Sequence, residues 1–203
     1  MEIKDFDEFQ IDQLKEIMNI GASHASTALS QLVNQKVALT IPYAYIDKTL
    51  NIDKYFKLTN EKVSSAAIRI FGEISGLMYF LFSHENEEQL IKLLIGDIED
   101  PKERMEMEES VIKEVGNILA GASLTAFSRF LNMSLLHSVS KVIVDTFNNV
   151  VKRLINEVSS ETGTALIFQI DFSIKSNQIS THFLFFIDEE ATKKILEALK
   201  KNY

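Results

Sequence analysis

The chain has 203 residues, a formal net charge of −8, a sequence pI of about 5.1 and no cysteine. The acidic excess repels nucleic-acid phosphates, and no stripe of Lys and Arg with interleaved aromatic residues offsets it, which disfavours nucleic-acid binding. The lack of cysteine excludes disulfides and thiolate chemistry. No run approaches the about 18 consecutive apolar residues of a membrane span, and the first residues show no basic region followed by an apolar run. We therefore expect a cytoplasmic protein with no membrane insertion.

The first half of the chain begins with a predicted helix and a predicted strand. Small and apolar residues recur at steps of three and four positions over 14–32, which is typical of a helix, and we place its start near Asp12. The stretch 36–46 alternates loosely between apolar and polar residues. This pattern predicts a strand that Pro42 bends or confines to a sheet edge.

A hairpin and a helix are predicted next. The apolar runs 65–73 and 75–83 flank a short interruption next to glycines, which favours two antiparallel strands joined by a turn or bulge. Ser83 then precedes a helical pattern with an acidic first turn, and Gly96 provides a helix stop.

The second half predicts the same order of elements. The charged stretch 97–109, which contains Pro101, is the predicted joint between the halves. The expected elements are a helix at about 109–131, strands at 139–145, 164–176 and 178–188, a closing helix at 188–201, and an extra helix at 147–160. The sequence therefore predicts an α+β fold in a single domain, 1–203. In it, two helix–three strands–helix repeats, about 1–100 and 105–203, form a pseudo-twofold antiparallel sheet, with the two first helices packed on one face.

One stretch of the first helix recurs in the second half. Residues 14–30 are LKEIMNIGASHASTALS, and residues 112–128 are IKEVGNILAGASLTAFS. The identical positions include a Lys, a Glu and an Asn, polar residues that a fold alone rarely requires at fixed places. The matches are Lys15, Glu16, Asn19, Ile20, Ala22, Thr27, Ala28 and Ser30 with Lys113, Glu114, Asn117, Ile118, Ala120, Thr125, Ala126 and Ser128.

The repeated Glu-x-x-Asn pair is the candidate functional feature. Residues three apart on a helix lie on one face, so Glu16 and Asn19 present a carboxylate beside a carboxamide, as do Glu114 and Asn117. Such a pair is weak for autonomous catalysis but suits assistance to a reaction whose other groups lie on a partner. The alternative is a surface or packing device in which each Asn caps a neighbouring segment, and the residues alone leave both interpretations open.

The motif resembles a known family signature. Asp-x-x-x-Glu-x-x-Asn with a proline 23 positions after the Asn resembles the CheC/CheX/FliY family of chemotaxis phosphatases. The first half has the whole signature: Asp12, Glu16, Asn19 and Pro42. The second half has Ser110, Glu114 and Asn117, with Ser140 at the proline position. The first site therefore matches the family better than the second.

This resemblance implies hydrolysis of the aspartyl phosphate of a phosphorylated CheY-type receiver. The receiver would supply the phosphorylated aspartate, a Mg²⁺ ion and a lysine, so that the chain needs no cofactor or metal of its own. Asn19 and Asn117 would orient a water in line with phosphorus. Glu16 and Glu114 would engage the receiver's lysine.

The competing function is that of a binding module. CheC-like proteins are similar to flagellar switch components and commonly pair with the receptor deamidase CheD, so both are candidate partners. A full FliY carries an additional C-terminal switch domain that is not found up to Tyr203, which disfavours a rotor part. A catalytically silent scaffold is disfavoured because both Glu/Asn pairs are intact.

Overall fold

The computed structural model describes residues 6–55, 60–96, 99–158, 163–174 and 177–201. The helices are α1 (Glu8–Leu32), α2 (His84–Ile95), α3 (Pro101–Leu131), α4 (Phe147–Val158) and α5 (Glu189–Lys201), with a short 3-10 helix at Thr49–Tyr55. The strands are β1 (Val37–Thr40), β2 (Ala44–Lys48), β3 (Lys62–Gly72), β4 (Gly76–Ser83), β5 (Leu135–His137), β6 (Lys141–Thr146), β7 (Thr164–Ile174) and β8 (Asn177–Ile187).

Strands from both halves of the chain form one antiparallel sheet. Its order is β1-β7-β8-β4-β3-β5, with β2 also paired to β7 and β6 also paired to β3. Thus β1 and β2 of the first half pair with the second half, and β5 and β6 of the second half pair with the first. In the middle, β4 pairs with β8, so strand pairing joins the two halves at both ends of the sheet and at its centre.

The sheet is apolar on both faces because its long strands alternate between two cores. Ala66, Ile68 and Ile70 of β3 contact the apolar side of α1 and α3, whereas Leu77 and Tyr79 of β4 contact α4 on the opposite face. The helices α2 and α5 also pack on the α1 and α3 face. The two motif helices therefore share one face of the sheet, as predicted.

Three phenylalanine rings tie the two halves together in the core. Phe80 of β4 lies directly opposite Phe183 of β8, which in turn lies opposite Phe168 of β7. The ring centroids are 4.7 Å and 5.5 Å apart, at nearly parallel orientation. Such cross-strand aromatic pairs each contribute about 0.5–1.5 kcal/mol beyond the burial of their area.

The structure confirms the predicted hairpin of β3 and β4, the helix α2 capped by Ser83, and the extra helix at α4. The expected three strands per half are wrong, since the described residues of each half form four. The predicted strand 36–46 is interrupted around Pro42, which has no N–H to donate, and a corresponding pair of short strands, β5 and β6, precedes α4. The repeat relationship between the halves stays a prediction.

Both motif helices begin earlier than the sequence pattern indicated. The N-cap of α1 is Asp7, whose side chain accepts a hydrogen bond from the Gln10 backbone in a capping box, so Asp12 lies inside the helix. The N-cap of α3 is Asp100, and Pro101 occupies its first turn, where a missing N–H costs nothing. The stretch predicted as a joint is therefore largely the exposed beginning of α3.

The strand exchange leads to a prediction about separated halves. Fragments 1–100 and 101–203 should each fail to unfold cooperatively, because each loses the partners of its short strands and exposes long unpaired strand edges. Mixing them should restore the circular dichroism spectrum and urea transition of the intact chain. A monomeric fragment 1–100 with its own cooperative transition would contradict this expectation.

Candidate functional site

The motif helices α1 and α3 pack against each other in antiparallel directions. A Cβ added at Gly21 would lie 3.1 Å from the Cα of Ser123 and 3.3 Å from the carbonyl oxygen of Ala122, so the two backbones approach closely there. Leu32, at the end of α1, lines a groove together with Val111 of α3. Gly21 thus lies next to Ser123, and Leu32, later in α1, lies near Val111, earlier in α3, so the two helices run in opposite directions.

Each motif helix presents its glutamate to solvent. Glu16 and Glu114 are both exposed, one turn before the motif asparagines. Within the described ranges, neither carboxylate accepts a hydrogen bond or forms an ion pair. Both are therefore available to a cation on a partner surface.

The motif asparagines are half-buried rather than exposed, and each accepts a hydrogen bond from a backbone N–H. Oδ1 of Asn19 accepts from the N–H of Ile41 at 3.2 Å, and Oδ1 of Asn117 accepts from the N–H of Ser140 at 2.9 Å. A backbone N–H can only donate, so the amide oxygen must face it and the NH₂ group must point away. The two carboxamides therefore have the same, fixed orientation.

The outward NH₂ groups remain available. Neither Nδ2 atom donates to any residue that the structure describes, and neither is among the fully buried side-chain atoms that lack a partner. Both NH₂ groups therefore reach solvent beside an exposed carboxylate. The capping interpretation and the functional interpretation are thus compatible, because the oxygen caps a segment while the nitrogen stays free.

Both of these hydrogen bonds to a motif asparagine form at the terminus of a strand. Ile41 follows β1 and precedes Pro42, and Ser140 precedes β6. Here the backbone N–H has no partner strand, so the motif asparagine satisfies it. Sequence reasoning did not identify Ile41 and Ser140 as anchors; the spacing of Pro42 from Asn19 was the signal that could have pointed to this contact.

Ser140, which lies as far after Asn117 as Pro42 lies after Asn19, makes two hydrogen bonds. Its N–H donates to Asn117, as above, and its Oγ donates to the carbonyl oxygen of Lys113 at 2.8 Å. The side chain is buried, with 4% of its surface exposed. A proline restricts the backbone through its ring, whereas Ser140 attaches the same segment to α3.

Gly116 allows α3 to lie close to the sheet at the second site. A Cβ added there would lie 2.4 Å from the Cβ of Ala66 on β3 and 3.6 Å from the Cβ of Ser140. Since Asn117 is the next residue, this close approach sets its distance from the Ser140 N–H. Gly116 is thus a positioning feature that the sequence motif did not reveal.

A small apolar groove lies beside the second site. Its volume is about 210 Å³, and Glu114 and Ser110 lie at its polar edge. The apolar lining comes from Leu32, Val33, Leu94, Ile95, Val111 and Val115. The second site therefore offers a partner both a carboxylate and an apolar contact.

No group of three or more His, Cys, Asp or Glu side chains that could bind a metal ion occurs among the described residues. The expectation that the chain has no metal of its own stays a prediction. Of the helices in the described part of the chain, none is both long and apolar enough to span a membrane.

The chain is similar in sequence to known proteins. The model of the CheC-like family matches residues 9–45 and 107–139, which contain both Glu/Asn pairs. The chain is 34% identical over 201 residues to the protein of Bacillus subtilis (strain 168) named CheY-P phosphatase CheC, covering 95% of this chain and 94% of that protein. The chain belongs to the CheC-like family. In this CheC-like protein, the two ranges that match the family model include most of α1 and most of α3, the two antiparallel helices of one face.

Two solved structures share the CheC-like fold of this chain. FliY from Thermotoga maritima has a TM-score of 0.77 at 19% identity and covers 98% of this chain and 99% of its own. A chain of the CheX-CheY-BeF3-Mg+2 complex from Borrelia burgdorferi has a TM-score of 0.55 at 18% identity, and the match covers 85% of this chain and 97% of that chain. These likenesses establish the α+β architecture with its antiparallel sheet.

Proposed function

We propose that this protein terminates chemotaxis signalling by hydrolysing the aspartyl phosphate of a CheY-type response regulator. Membership of the CheC-like family supports this, since the B. subtilis relative bears the name of a CheY-P phosphatase. The observation that carries the proposal is the common orientation of the two carboxamides, each with its oxygen bound to a strand end and its NH₂ free. We place the reaction in the cytoplasm.

Asn19 and Asn117 are proposed to orient the attacking water. Phosphoryl transfer depends mainly on positioning and electrostatic stabilisation, so a pre-oriented amide can contribute strongly without covalent chemistry. The hydrogen bonds from Ile41 and Ser140 reduce the freedom that each amide must lose when the receiver docks. An amide is also neutral, so it brings no negative charge towards the phosphoryl oxygens.

Glu16 and Glu114 are proposed to engage the receiver's lysine, and the receiver is proposed to supply the Mg²⁺ ion. An exposed carboxylate one turn from the amide can bind that lysine while the amide faces the phosphoryl group. We further infer that the two sites arose by duplication of one unit, since they use the same residue types on the same kind of helix. Each site would then act on a separate receiver molecule.

Removing the two glutamate charges should weaken docking. We expect the Glu16→Gln, Glu114→Gln double variant to raise KM for the phosphorylated receiver roughly tenfold, which corresponds to about 1.4 kcal/mol. The difference in KM between the double variant and the wild-type protein should decrease as salt is added, because salt screens the charge–charge interaction that the variant has lost. Steady-state dephosphorylation at several salt concentrations measures both effects.

Glu197→Gln is the matched control for this charge removal. Glu197 is exposed on α5 and belongs to neither motif helix, so its replacement should leave KM unchanged. An equal rise in KM in this control would mean that net charge, rather than the two motif carboxylates, governs docking.

A further inference from the structure

A cavity on the sheet face opposite the motif helices concentrates positive charge in an acidic protein. It has a volume of about 370 Å³ and lies between α4 and the strands β3, β4 and β6. Three cationic side chains line it: Arg69, Lys141 and Arg153. Glu157 is the single acidic residue of its lining. This cationic cavity therefore carries a net charge of about +2 in a chain whose net charge is −8.

The register of the sheet explains how the cavity forms. Ala67 of β3 is paired on one side with Tyr79 and on the other with Lys141. Its small side chain leaves space on the α4 face, where Arg69 lies two residues further along the same strand. Most of the exposed lining is polar, and the apolar part comes from residues such as Ala67, Leu77, Val139 and Ile143.

Two of the three cations have no partner at salt-bridge distance in the described part of the chain, although the Asp145 carboxylate of β6 interacts electrostatically with Arg153. Among the described residues, Lys141 and Arg153 form no salt bridge. Glu157 lies 4.0 Å from Arg69 and accepts a hydrogen bond from the Tyr79 hydroxyl at 3.1 Å. Burial, and secondly the nearby Glu157 carboxylate, raises the pKa of Tyr79. The Tyr79 hydroxyl therefore stays protonated and keeps its hydrogen bond to the Glu157 carboxylate.

We propose that this cationic cavity binds a small organic phosphate. Guanidinium and ammonium groups are the usual partners of phosphate oxygens, and Arg can bind two oxygens at once. The volume lies in the range of small-molecule sites and exceeds what one phosphate group fills. The apolar part of the lining is suited to the organic part of the ligand.

The cavity is connected to the second catalytic site, a step that rests on the proposed function. Ser138 lines the cavity and exchanges two hydrogen bonds with Arg69, from the Arg69 N–H to the Ser138 Oγ at 3.0 Å and from the Ser138 N–H to the Arg69 carbonyl at 2.9 Å. Two residues later, Ser140 donates to Asn117. A ligand that contacts Arg69 and Ser138 is therefore expected to alter the segment that orients Asn117.

Calorimetric titration of the intact protein with glycerol 3-phosphate and inorganic phosphate tests the binding step. At low ionic strength we expect saturable 1:1 binding, tighter for glycerol 3-phosphate, and weaker by about tenfold in Lys141→Gln and in Arg153→Gln. Lys152→Gln is the control, because Lys152 is an exposed neighbour on α4 outside the cavity. Glu157→Gln should instead strengthen binding, since it removes the carboxylate that lines the cavity.

The outcomes are distinct. No saturable binding of either probe, or equal weakening by Lys152→Gln, would overturn the cavity proposal. Acetate binding as tightly as glycerol 3-phosphate would overturn the choice of phosphate. Amide resonances report on the connection: Ser140 should shift with glycerol 3-phosphate, while Ile41, its counterpart at the first site, should not. A protein that binds glycerol 3-phosphate but never dephosphorylates a receiver would refute the proposed function and leave the cavity intact.

Discussion

Replacing both motif asparagines with alanine should reduce receiver dephosphorylation to the receiver's own rate of decay. Loss of one group that acts in the transition state typically costs about 10²–10³ in rate at its site. Each single variant, Asn19→Ala or Asn117→Ala, should keep what the other site supplies. Loss of phosphate from the cognate phosphorylated receiver, followed with and without each variant, measures the effect.

Alanine also removes an acceptor that the fold uses, so a second replacement is needed to separate the two roles. Asn19→Asp and Asn117→Asp keep an oxygen that can accept from the Ile41 and Ser140 N–H groups. They remove the NH₂ group and bring a negative charge towards the phosphoryl oxygens. We expect the Asp variants to keep their urea midpoints and to lose activity as fully as the Ala variants, which should lose about 1 kcal/mol of stability each.

The two interpretations of the repeated Asn therefore predict different results. If the asparagines served only to cap strand ends, the Asp variants would retain both stability and activity. A double Ala variant that still accelerates hydrolysis fully would contradict the proposed mechanism and would support the alternative function, that of a binding module.

The single variants also rank the two sites. The family signature places the first site above the second, because Ser140 replaces the proline. A larger loss from Asn117→Ala than from Asn19→Ala would mean that Ser140, with its two hydrogen bonds, positions its segment as well as Pro42 does.

The sequence predicted most of the local structure because local signals are strong in this chain. The hairpin of β3 and β4 follows from two apolar runs near glycines, and α2 follows from Ser83 and Gly96 at its ends. Helix starts were less accurate. Asp7 and Asp12 are equally suited to capping by residue type, and the hydrogen bond from Gln10 that decides between them depends on the folded backbone.

The exchange of strands between the halves could not be predicted from one sequence. Hydrophobic alternation shows that β1 and β7 are strands, but not that they pair with each other across the chain. The same limit applies to the motif asparagines. Their spacing from Glu16 and Glu114 predicts a shared helix face, whereas their contacts with Ile41 and Ser140 depend on where β1 ends and where β6 begins.

Gly116→Ala should destabilise the protein, because Gly116 lies where α3 packs closely on β3 next to the second site. A Cβ at this position would overlap the Cβ of Ala66 at 2.4 Å, and Ala66 is fully buried in β3. Either α3 or β3 must therefore move in Gly116→Ala. Overpacking of this kind typically costs about 1–3 kcal/mol, which should appear as a lower urea midpoint.

Gly121→Ala provides the matched control on the same helix. A Cβ there would meet only the Nε2 of His137, at 3.5 Å, which is an ordinary contact. Alanine is favoured over glycine inside a helix by about 0.5–1 kcal/mol, so this variant should be stabilised. The two substitutions are chemically identical, and only the neighbouring atoms differ.

Gly116→Ala should also impair the second site selectively. Displacement of α3 from β3 moves Asn117 away from the Ser140 N–H and frees its carboxamide to rotate. In an Asn19→Ala background, where the second site alone works, Gly116→Ala should therefore lower kcat at temperatures where the protein is still folded. In an Asn117→Ala background it should leave kcat unchanged, because α1 and the Ile41 contact are separate from this approach. Equal loss in both backgrounds would show that Gly116 acts on the fold as a whole, and no loss in either would show that the fixed orientation of Asn117 does not matter for catalysis.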